Sequence, residues 1–267
     1  MQLYILLIVA IIQGLTEFLP VSSSGHLILF PSLTGVQDQG QFIDVAVHIG
    51  TLFAVVLYFR HDVGAALVGT VRMLRGRLET AEAKLAFNLL IATLPLIAFG
   101  AFLHFSGLSD ALRSVKTIAW TMLIFGLVLY WADRTGPTTK VKTDWTLRDA
   151  VYMGLWQAVA LIPGTSRSGI TITGARFLGY DREGGATLAM LMSIPAILAS
   201  GTLLALDVAS EGNAKAFHDG AIAAVFAFGS ALLALTLMMR LLRTVNFTPY
   251  VVYRVILGFV LLVFAYA

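Results

Sequence analysis

Six segments of this chain are apolar enough to cross a lipid bilayer as α-helices, and most have the length of about 20 residues that a spanning helix needs. They are residues 42–59, 85–105, 115–132, 186–206, 221–242 and 250–267. With 58% apolar and only 12% charged residues, the chain has about half the charge of a soluble domain. The sequence therefore predicts an all-α polytopic membrane protein. It excludes a soluble enzyme, a disordered chain and a nucleic-acid-binding protein.

Two further apolar stretches are interrupted by short polar segments. The first stretch, residues 3–21, runs into a Pro-Val-Ser-Ser-Ser-Gly-His segment at 20–26, which we name the first elbow. The second stretch, residues 150–162, runs into a Pro-Gly-Thr-Ser-Arg-Ser-Gly segment at 163–169, which we name the second elbow. A short apolar piece follows each elbow. Irregular backbone within a bilayer is tolerated only where it is buried in protein or lines a wet cavity. Each stretch is therefore predicted to form a re-entrant helix–loop–helix hairpin.

The basic residues of the loops predict the side of the membrane that each loop faces. Three loops contain most of the Lys and Arg residues: 60–84, 133–149 and 240–248. Three others contain only two such residues between them: 31–41, 106–114 and 207–220. Because cytoplasmic loops are enriched in Lys and Arg, the first three are expected in the cytoplasm and the other three outside. This alternation requires both hairpins to return to the side from which they entered.

An internal repeat relates the two hairpins. Four residues recur 144 positions later along the chain: Gln13, Ser22, Ser24 and Gly25 reappear as Gln157, Ser166, Ser168 and Gly169. The repeat predicts one membrane domain with two halves, about 1–132 and 145–267, joined by the cytoplasmic loop 133–149. Each half would contain one hairpin and three spanning helices, and because three is odd the second half is inverted. Inverted repeats with broken helices place a ligand site near the membrane midplane.

Three charged residues lie outside the loops and segment ends: Glu17, Arg167 and Arg254. A charge at the centre of a membrane helix costs about 2.5–3.5 kcal/mol on insertion scales, so such residues are candidates for function. For Glu17 and Arg167 the alternative is a structural ion pair that ties the two halves together. Arg254 is expected to extend to the cytoplasmic interface. His48, inside a predicted span, is expected to have a helix-packing role.

Hydroxyl groups and glycines around the elbows favour a functional role for Glu17 and Arg167. The hydroxyl and imidazole groups are Ser22, Ser23, Ser24, His26, Thr165, Ser166, Ser168, Thr171 and Thr173. A phosphate offers many acceptor oxygens, and an arginine can bind two of them at once. Gly25, Gly164 and Gly169 allow backbone N–H groups to approach an anion at the N-terminus of the helix after each elbow. The elbows therefore predict an oxyanion site within the membrane.

The first elbow also contains groups that suit phosphoryl transfer. Glu17, Ser23 and His26 supply a base or metal ligand, a hydroxyl nucleophile and a proton carrier. Arg167 would stabilise the charge that develops on a transferring phosphoryl group. Diphosphate cleavage normally needs a divalent cation, and Glu17 is the carboxylate placed to hold Mg2+ or Ca2+. A site inside the bilayer suits a substrate whose tail stays in lipid.

Residues 13–26 and 163–169 resemble the two signatures of the undecaprenyl-diphosphate phosphatases, the bacitracin-resistance protein family. Residues 49–56 and 249–254 also fit, and the resemblance covers essentially the whole chain. It implies removal of the terminal phosphate from an isoprenyl diphosphate lipid, which yields the carrier lipid of cell-wall synthesis. It further implies dependence on a divalent cation, a homodimer, and a bacterial plasma-membrane location with the site open to the outer face.

The resemblance also assigns roles to individual residues. The family's catalytic positions fall on Glu17, Ser23, His26 and Arg167. Phosphate contacts are expected from the remaining polar and glycine residues of the elbows: Ser22, Ser24, Gly25, Thr165, Ser166, Ser168, Gly169 and Thr171. A further acidic position of the family falls on Gln13, so this site has one carboxylate fewer for a metal. The run 188–195 departs from the family pattern, which is expected to affect packing and not chemistry.

The sequence leaves the nucleophile and one alternative function open. In the preferred mechanism Ser23 attacks the terminal phosphorus, Glu17 or His26 accepts its proton, and water hydrolyses the phosphoserine. His26 as nucleophile and direct attack by water are the other assignments. The alternative function is a lipid-phosphate flippase or anion transporter, because inverted repeats are a transporter architecture. The type-2 phosphatidic acid phosphatases are excluded because no histidine follows the Ser-Arg pair before His218.

Overall fold

The structure is a computed structural model that describes residues 2–36, 39–208 and 214–267. These ranges contain twelve α-helices, two single-turn 3-10 helices and no β-strand. The first six helices are α1 (Leu3–Glu17), α2 (Ser23–Thr34), α3 (Gln41–Tyr58), α4 (Arg60–Leu74), α5 (Ala81–Ser106) and α6 (Leu108–Leu112). The others are α7 (Val115–Thr135), α8 (Leu147–Ala158), α9 (Arg167–Phe177), α10 (Arg182–Val208), α11 (Ala214–Leu241) and α12 (Thr248–Tyr266). The all-α prediction is confirmed.

Six of these helices are long and apolar enough to cross a membrane: α3, α5, α7, α10, α11 and α12. They correspond one by one to the six predicted segments. Helix α11 begins at Ala214 and not at residue 221, because its first turns contain the polar Lys215 and His218, which end an apolar segment without ending a helix. Large side chains such as Phe259, which is 64% exposed, cover the outside of the bundle, as expected of a surface that faces lipid.

The interpretation of residues 60–84 as a loop is wrong, since α4 occupies most of it. Asp62 lies in the first turn of α4 and Arg72 in the last, an order that complements the helix dipole. The helix packs against α5 so closely at Gly69 that a Cβ atom there would lie 1.8 Å from the carbonyl oxygen of Glu82. A search for apolar segments misses α4 because of its charged residues. These charges do not prevent helix formation at the end of the bundle.

Each hairpin packs against a helix of the other half. Helix α1 packs on α11, and α8 packs on α5. Both contacts depend on a glycine: a Cβ at Gly14 would lie 2.5 Å from the carbonyl oxygen of Ala227, and one at Gly154 would lie 2.6 Å from that of Ala92. This exchange is what an inverted repeat would produce. The division into halves and the re-entrant path stay predictions, with which these contacts are compatible.

Both elbows turn at a serine with a positive φ angle. Ser22 has φ 74° and Ser166 has φ 71°, and no other non-glycine residue in the described ranges has a positive φ. A left-handed conformation costs a non-glycine residue about 1–3 kcal/mol. Each serine is also the N-cap of the next helix, because its Oγ accepts the N–H of Gly25 at 3.3 Å or of Gly169 at 3.2 Å. The caps therefore begin α2 at Ser23 and α9 at Arg167.

A polar cluster joins α8 to the segment between α9 and α10. The hydroxyl of Tyr180 donates to Oδ2 of Asp149 at 2.7 Å, and Lys140 donates to the same carboxylate at 3.0 Å. Burial raises the pKa of Tyr180, and its bond to Asp149 raises it further. Burial also favours neutral Asp149, but the hydrogen bonds from Tyr180 and Lys140 outweigh it and hold the pKa of Asp149 below its ordinary value. The folded state therefore contains an ionised Asp149 at neutral pH.

Candidate active site

A buried carboxylate, Glu17 at the C-terminus of α1, is the centre of the site. Its side chain is 4% exposed. Oε2 accepts hydrogen bonds from Oγ of Ser23 at 2.7 Å and from Nε2 of Gln13 at 2.8 Å. Oε1 forms an ion pair with the guanidinium of Arg167. The structure thus brings together three of the four residues predicted to be catalytic: Glu17 just before the first elbow, Ser23 within it and Arg167 in the second elbow.

Arg167 reaches Glu17 because the cap at Ser166 makes it the first residue of α9. Its side chain is 18% exposed, and its guanidinium also donates to the carbonyl oxygen of Ser193 at 3.5 Å. A buried charge pair that cancels is far less costly than either charge alone. Since Arg167 remains partly exposed while Glu17 is covered, the arginine is the member of the pair that an entering anion meets.

The cluster faces a cavity of about 160 Å³. Its lining includes Glu17, Ser23, Ser24, His48, Ser166, Arg167 and Ser200. A larger cavity of about 390 Å³ shares Ser24, His48 and Leu161 with it and extends to Asp44 and Arg113. A hydroxyl, a carboxylate and a guanidinium therefore face one space that continues into a wider opening.

His26 lies apart from this cluster and is not part of the lining of either cavity. Its Nδ1 is 2.7 Å from the carbonyl oxygen of Ser22. Because a carbonyl only accepts, Nδ1 carries a proton. Its Nε2 forms a hydrogen bond with the hydroxyl of Tyr253 in α12, and the two rings are stacked with centroids 5.7 Å apart. Both ring nitrogens are therefore engaged, and Tyr253 is a partner that the sequence did not reveal.

The predicted phosphate contacts divide into two groups. Ser24 and Ser166 line the cavity beside Ser23 and Arg167. The others do not line it: Ser22, Gly25, Thr165, Ser168, Gly169 and Thr171. Thr165 and Thr171 are fully buried, and Oγ of Ser168 donates to the carbonyl oxygen of Leu19 at 2.9 Å. The hydroxyls of Ser22, Ser166 and Ser168 thus form hydrogen bonds with backbone groups, whereas in the described ranges those of Thr165 and Thr171 are buried without a hydrogen-bond partner.

The prediction that Arg254 extends to the membrane interface is wrong. Its side chain is fully buried, and its guanidinium donates to Pro20 of the first elbow at 3.4 Å. It also donates to the carbonyl oxygens of Gly164 at 3.2 Å and Thr165 at 2.8 Å in the second elbow. Carbonyl groups near a broken helix lack helical partners, and the planar guanidinium has enough donors to satisfy several at once.

The helix-packing role expected for His48 does not describe all of its contacts. His48 lines both cavities, and its Nε2 is 3.8 Å from Oε2 of Glu17. Its Nδ1 is 2.7 Å from the carbonyl oxygen of Asp44, one turn earlier in α3. Helix α3 packs against α1, and this contact brings His48 to Glu17. The only sequence signal for it was a histidine in the middle of a span.

The site can be tested for its fit to a divalent cation. In the described ranges no three or more His, Asp or Glu side chains form a group that could hold a metal. Glu17 supplies one carboxylate, and Oε1 of Gln13 is buried without a hydrogen-bond partner. These oxygens fit a cation such as Mg2+, which keeps several waters and takes other ligands from substrate phosphates.

Comparison with known proteins identifies the family. Residues 6–260 match the family model for bacitracin resistance protein BacA. The chain belongs to this family. A relative from Ruegeria pomeroyi is 67% identical over the full length of both chains, and one from Jannaschia sp. is 65% identical, also over the full length of both. A relative from Alteromonas mediterranea is 43% identical over the same extent. All three are named undecaprenyl-diphosphatase.

Proposed function

We propose that this protein is an integral membrane phosphatase that hydrolyses undecaprenyl diphosphate to undecaprenyl phosphate and inorganic phosphate. The reaction would recycle the carrier lipid for cell-wall synthesis. The observation that carries the proposal is the contact of Ser23 and Arg167 with one buried carboxylate, Glu17. The names of its relatives agree with that chemistry. A pure transporter does not need a serine hydroxyl that is hydrogen-bonded to a carboxylate, as Ser23 is to Glu17. The flippase alternative is therefore not favoured.

The first step is transfer of the terminal phosphoryl group to Ser23. Its oxygen forms a bond to the terminal phosphorus while the bond from that phosphorus to the bridging oxygen breaks. The hydroxyl proton passes to Oε2 of Glu17, with which it already forms a 2.7 Å hydrogen bond. Undecaprenyl phosphate leaves with the electron pair of the broken bond. Arg167 binds the phosphoryl oxygens and stabilises the charge that develops on them.

The second step returns the enzyme to its starting state. Glu17 releases its proton to solvent and then accepts a proton from a water molecule that attacks the phosphoserine. The new bond from the water oxygen to phosphorus forms as the bond between Ser23 and phosphorus breaks, and Ser23 recovers a proton through Glu17. Inorganic phosphate is the product. One carboxylate thus serves as base in both steps.

The geometry supports Ser23 over His26 as nucleophile. Ser23 lies in the cavity next to Glu17 and Arg167. The Nε2 atom of His26 forms a hydrogen bond with the hydroxyl of Tyr253. Attack of Nε2 on phosphorus would require that hydrogen bond to break. His26 therefore suits a role in holding α2 against α12.

The proposal also includes the features that the family resemblance implied. A divalent cation, Mg2+ or Ca2+, at Glu17 and Gln13 would neutralise the diphosphate charge. The protein would act as a homodimer in the bacterial plasma membrane, where the charge of the loops favours a site open to the outer face. The tail of the substrate would remain in lipid beside the apolar part of the larger cavity.

The test is phosphate release from undecaprenyl diphosphate by the detergent-purified protein, with and without EDTA. Arg167→Ala removes the phosphate ligand of the site. Arg148→Ala, an exposed arginine of α8, is the matched control. We expect metal-dependent release by the wild type and the control, and a loss in Arg167→Ala on the order of a thousandfold. A folded, lipid-supplied wild type without release would contradict the proposal and favour the transporter.

A further inference from the structure

Two histidines lie on helices that pack against α1, and only one of them faces Glu17. His26 uses Nδ1 on the carbonyl of Ser22 and Nε2 on Tyr253. His48 uses Nδ1 on the carbonyl of Asp44, and its Nε2 faces Oε2 of Glu17 at 3.8 Å. That distance is too long for a hydrogen bond. The Nε2 atom of His48 is therefore directed at the carboxylate but is not bonded to it.

The tautomer of His48 follows from its Nδ1 contact. A carbonyl oxygen cannot donate, so the 2.7 Å contact with Asp44 places a proton on Nδ1. In the neutral ring the lone pair then lies on Nε2. Histidines that bind metal ions almost always donate their other N–H in this way, to a backbone carbonyl or a carboxylate. His48 thus has the supporting contact that is typical of a metal ligand.

The position of His48 meets the other requirements of a ligand. Its side chain is 32% exposed and lines both cavities, so an entering cation can reach it. Its Nε2 atom forms a pair with the carboxylate of Glu17 at 3.8 Å. If Arg167 bound the phosphoryl oxygens in place of Glu17, Oε1 of Glu17 would be free to hold a cation, while Oε2 would keep its hydrogen bond from Ser23. Gln13 supplies only a neutral oxygen at this place.

We infer, on the basis of the function proposed above, that His48 is a ligand of the divalent cation together with Glu17. One carboxylate and one amide form a weak site for a cation, and an imidazole nitrogen adds a second strong donor. Imidazole suits transition metals, whereas Ca2+ and Mg2+ prefer oxygen. The nitrogen of His48 is therefore expected to raise the affinity of the site for a transition ion such as Mn2+ relative to its affinity for Ca2+.

The test uses Mn2+ as probe and electron paramagnetic resonance as readout, on purified protein with inorganic phosphate. Nitrogen hyperfine coupling on the bound Mn2+ is expected in the wild type and is expected to disappear in His48→Gln. His104→Gln, which changes an exposed histidine of α5, is the matched control and should keep the coupling. We expect the affinity for Mn2+ to fall by about tenfold or more in His48→Gln.

A reciprocal variant adds a second readout, and an isotope label keeps the test decisive if His48→Gln is poorly folded. Gln13→Glu in the His48→Gln background exchanges the nitrogen for a carboxylate. It should recover Mn2+ affinity without nitrogen coupling and should bind Ca2+ more tightly relative to Mn2+ than the wild type does. Wild-type protein made with isotope-labelled histidine provides a readout that depends on no substitution, since the coupling should change with the isotope.

Two results would overturn the inference. One is a wild-type protein that binds Mn2+ without nitrogen coupling, and the other is a coupling that persists in His48→Gln. In either case phosphate release by the wild type would leave the phosphatase function standing. Failure of the wild type to release phosphate with any cation would instead contradict the proposed function, so the two failures are distinct.

Discussion

Arg254 shows how a single side chain can hold a broken membrane helix in place. Its guanidinium lies between the two elbows and binds carbonyl groups from both, and no carboxylate of the described residues is among its hydrogen-bond partners. Gly126 of α7 makes room for it, since a Cβ there would lie 3.3 Å from Cβ of Arg254. The positions of Ser23 and Arg167, one in each elbow, therefore depend on a residue that touches neither the cavity nor the substrate.

Replacement of Arg254 should weaken both the fold and the activity. Arg254→Lys keeps a charge, but a single ammonium cannot reach carbonyl groups on two elbows and α7. We expect a loss of about 3 kcal/mol in the free energy of unfolding and a fall in kcat, measured by melting in detergent and by phosphate release. Arg240→Lys, at an exposed position of α11, is the control. Equal melting and equal kcat for both variants would contradict this role.

The sequence indicates the role of a single residue only where the evidence for it lies in the residues on either side of it in the chain. Glu17 and Arg167 were found because a charge inside an apolar stretch is costly wherever its neighbours lie. The prediction for Arg254 was wrong because it used only the distance of Arg254 from the helix end, whereas its carbonyl partners come from α7 and both elbows. The role of His48 depends on how α3 packs on α1, which a single sequence does not state.

At the scale of elements, the second elbow depends on close contact with α7. Gly164 has φ 87°, and a Cβ there would lie 2.2 Å from Oγ1 of Thr121 and 2.6 Å from the carbonyl oxygen of Ile118. The hydroxyl of Thr121 in turn donates to the carbonyl oxygen of Pro163 at 2.6 Å. The elbow is therefore packed directly on the backbone of a spanning helix.

Gly164→Ala and Gly76→Ala separate backbone strain from packing. Both glycines have positive φ, but a Cβ at Gly76 would meet nothing within 4 Å. Strain of about 1 kcal/mol is expected in each variant, and overpacking adds about 1–3 kcal/mol at Gly164 alone. Melting temperatures in detergent measure the difference. If both variants melt at the same temperature, α7 does not hold the elbow closely.

The polar cluster beside α8 predicts a pH dependence of stability. The pKa of Asp149 is lower in the folded state than its ordinary value of 3.8, so its contribution to stability is present above that value. The contribution is lost as the pH falls through the folded pKa. Asp149→Asn should cost about 1 kcal/mol at pH 7, and the difference from the wild type should shrink only as the pH falls below 3.8. Glu79→Gln is the exposed control, and a pH-independent difference for Asp149→Asn would contradict this account.

Elements were predicted well where hydropathy alone defines them. The six spanning helices and the two interruptions follow from the length of apolar runs. Helix α4 was missed because its charged residues resemble those of a loop, although they sit at the helix ends where they stabilise it. The caps at Ser22 and Ser166 were not foreseen either, since a positive φ at serine is set by the packed elbow and not by serine's own preference.

At the scale of the whole molecule, contacts between helices that are distant in the sequence bring residues 150 positions apart into one site. Helix α1 packs on α11 and α8 packs on α5, and these contacts are compatible with the predicted inverted repeat. The orientation of the bundle in the membrane stays a prediction from the basic loops. The orientation can be tested directly with single-cysteine variants, because the chain has no cysteine of its own.

Single cysteines should report that orientation. Arg113→Cys lies in a loop expected outside and Arg77→Cys in a loop expected in the cytoplasm. An impermeant maleimide added to intact spheroplasts should label the first variant and should label the second only after permeabilisation. The opposite pattern would invert the bundle and place the larger cavity, which contains Arg113, on the cytoplasmic side.

The most direct test of the proposed mechanism is to trap the phosphorylated protein. Substrate with radioactive phosphorus in its terminal phosphate is mixed with the purified enzyme and quenched within milliseconds, and the labelled peptide is identified. We expect an acid-stable phosphoserine at Ser23 that is absent from Ser23→Ala. An acid-labile phosphohistidine at His26, or label that persists in Ser23→Ala, would contradict it.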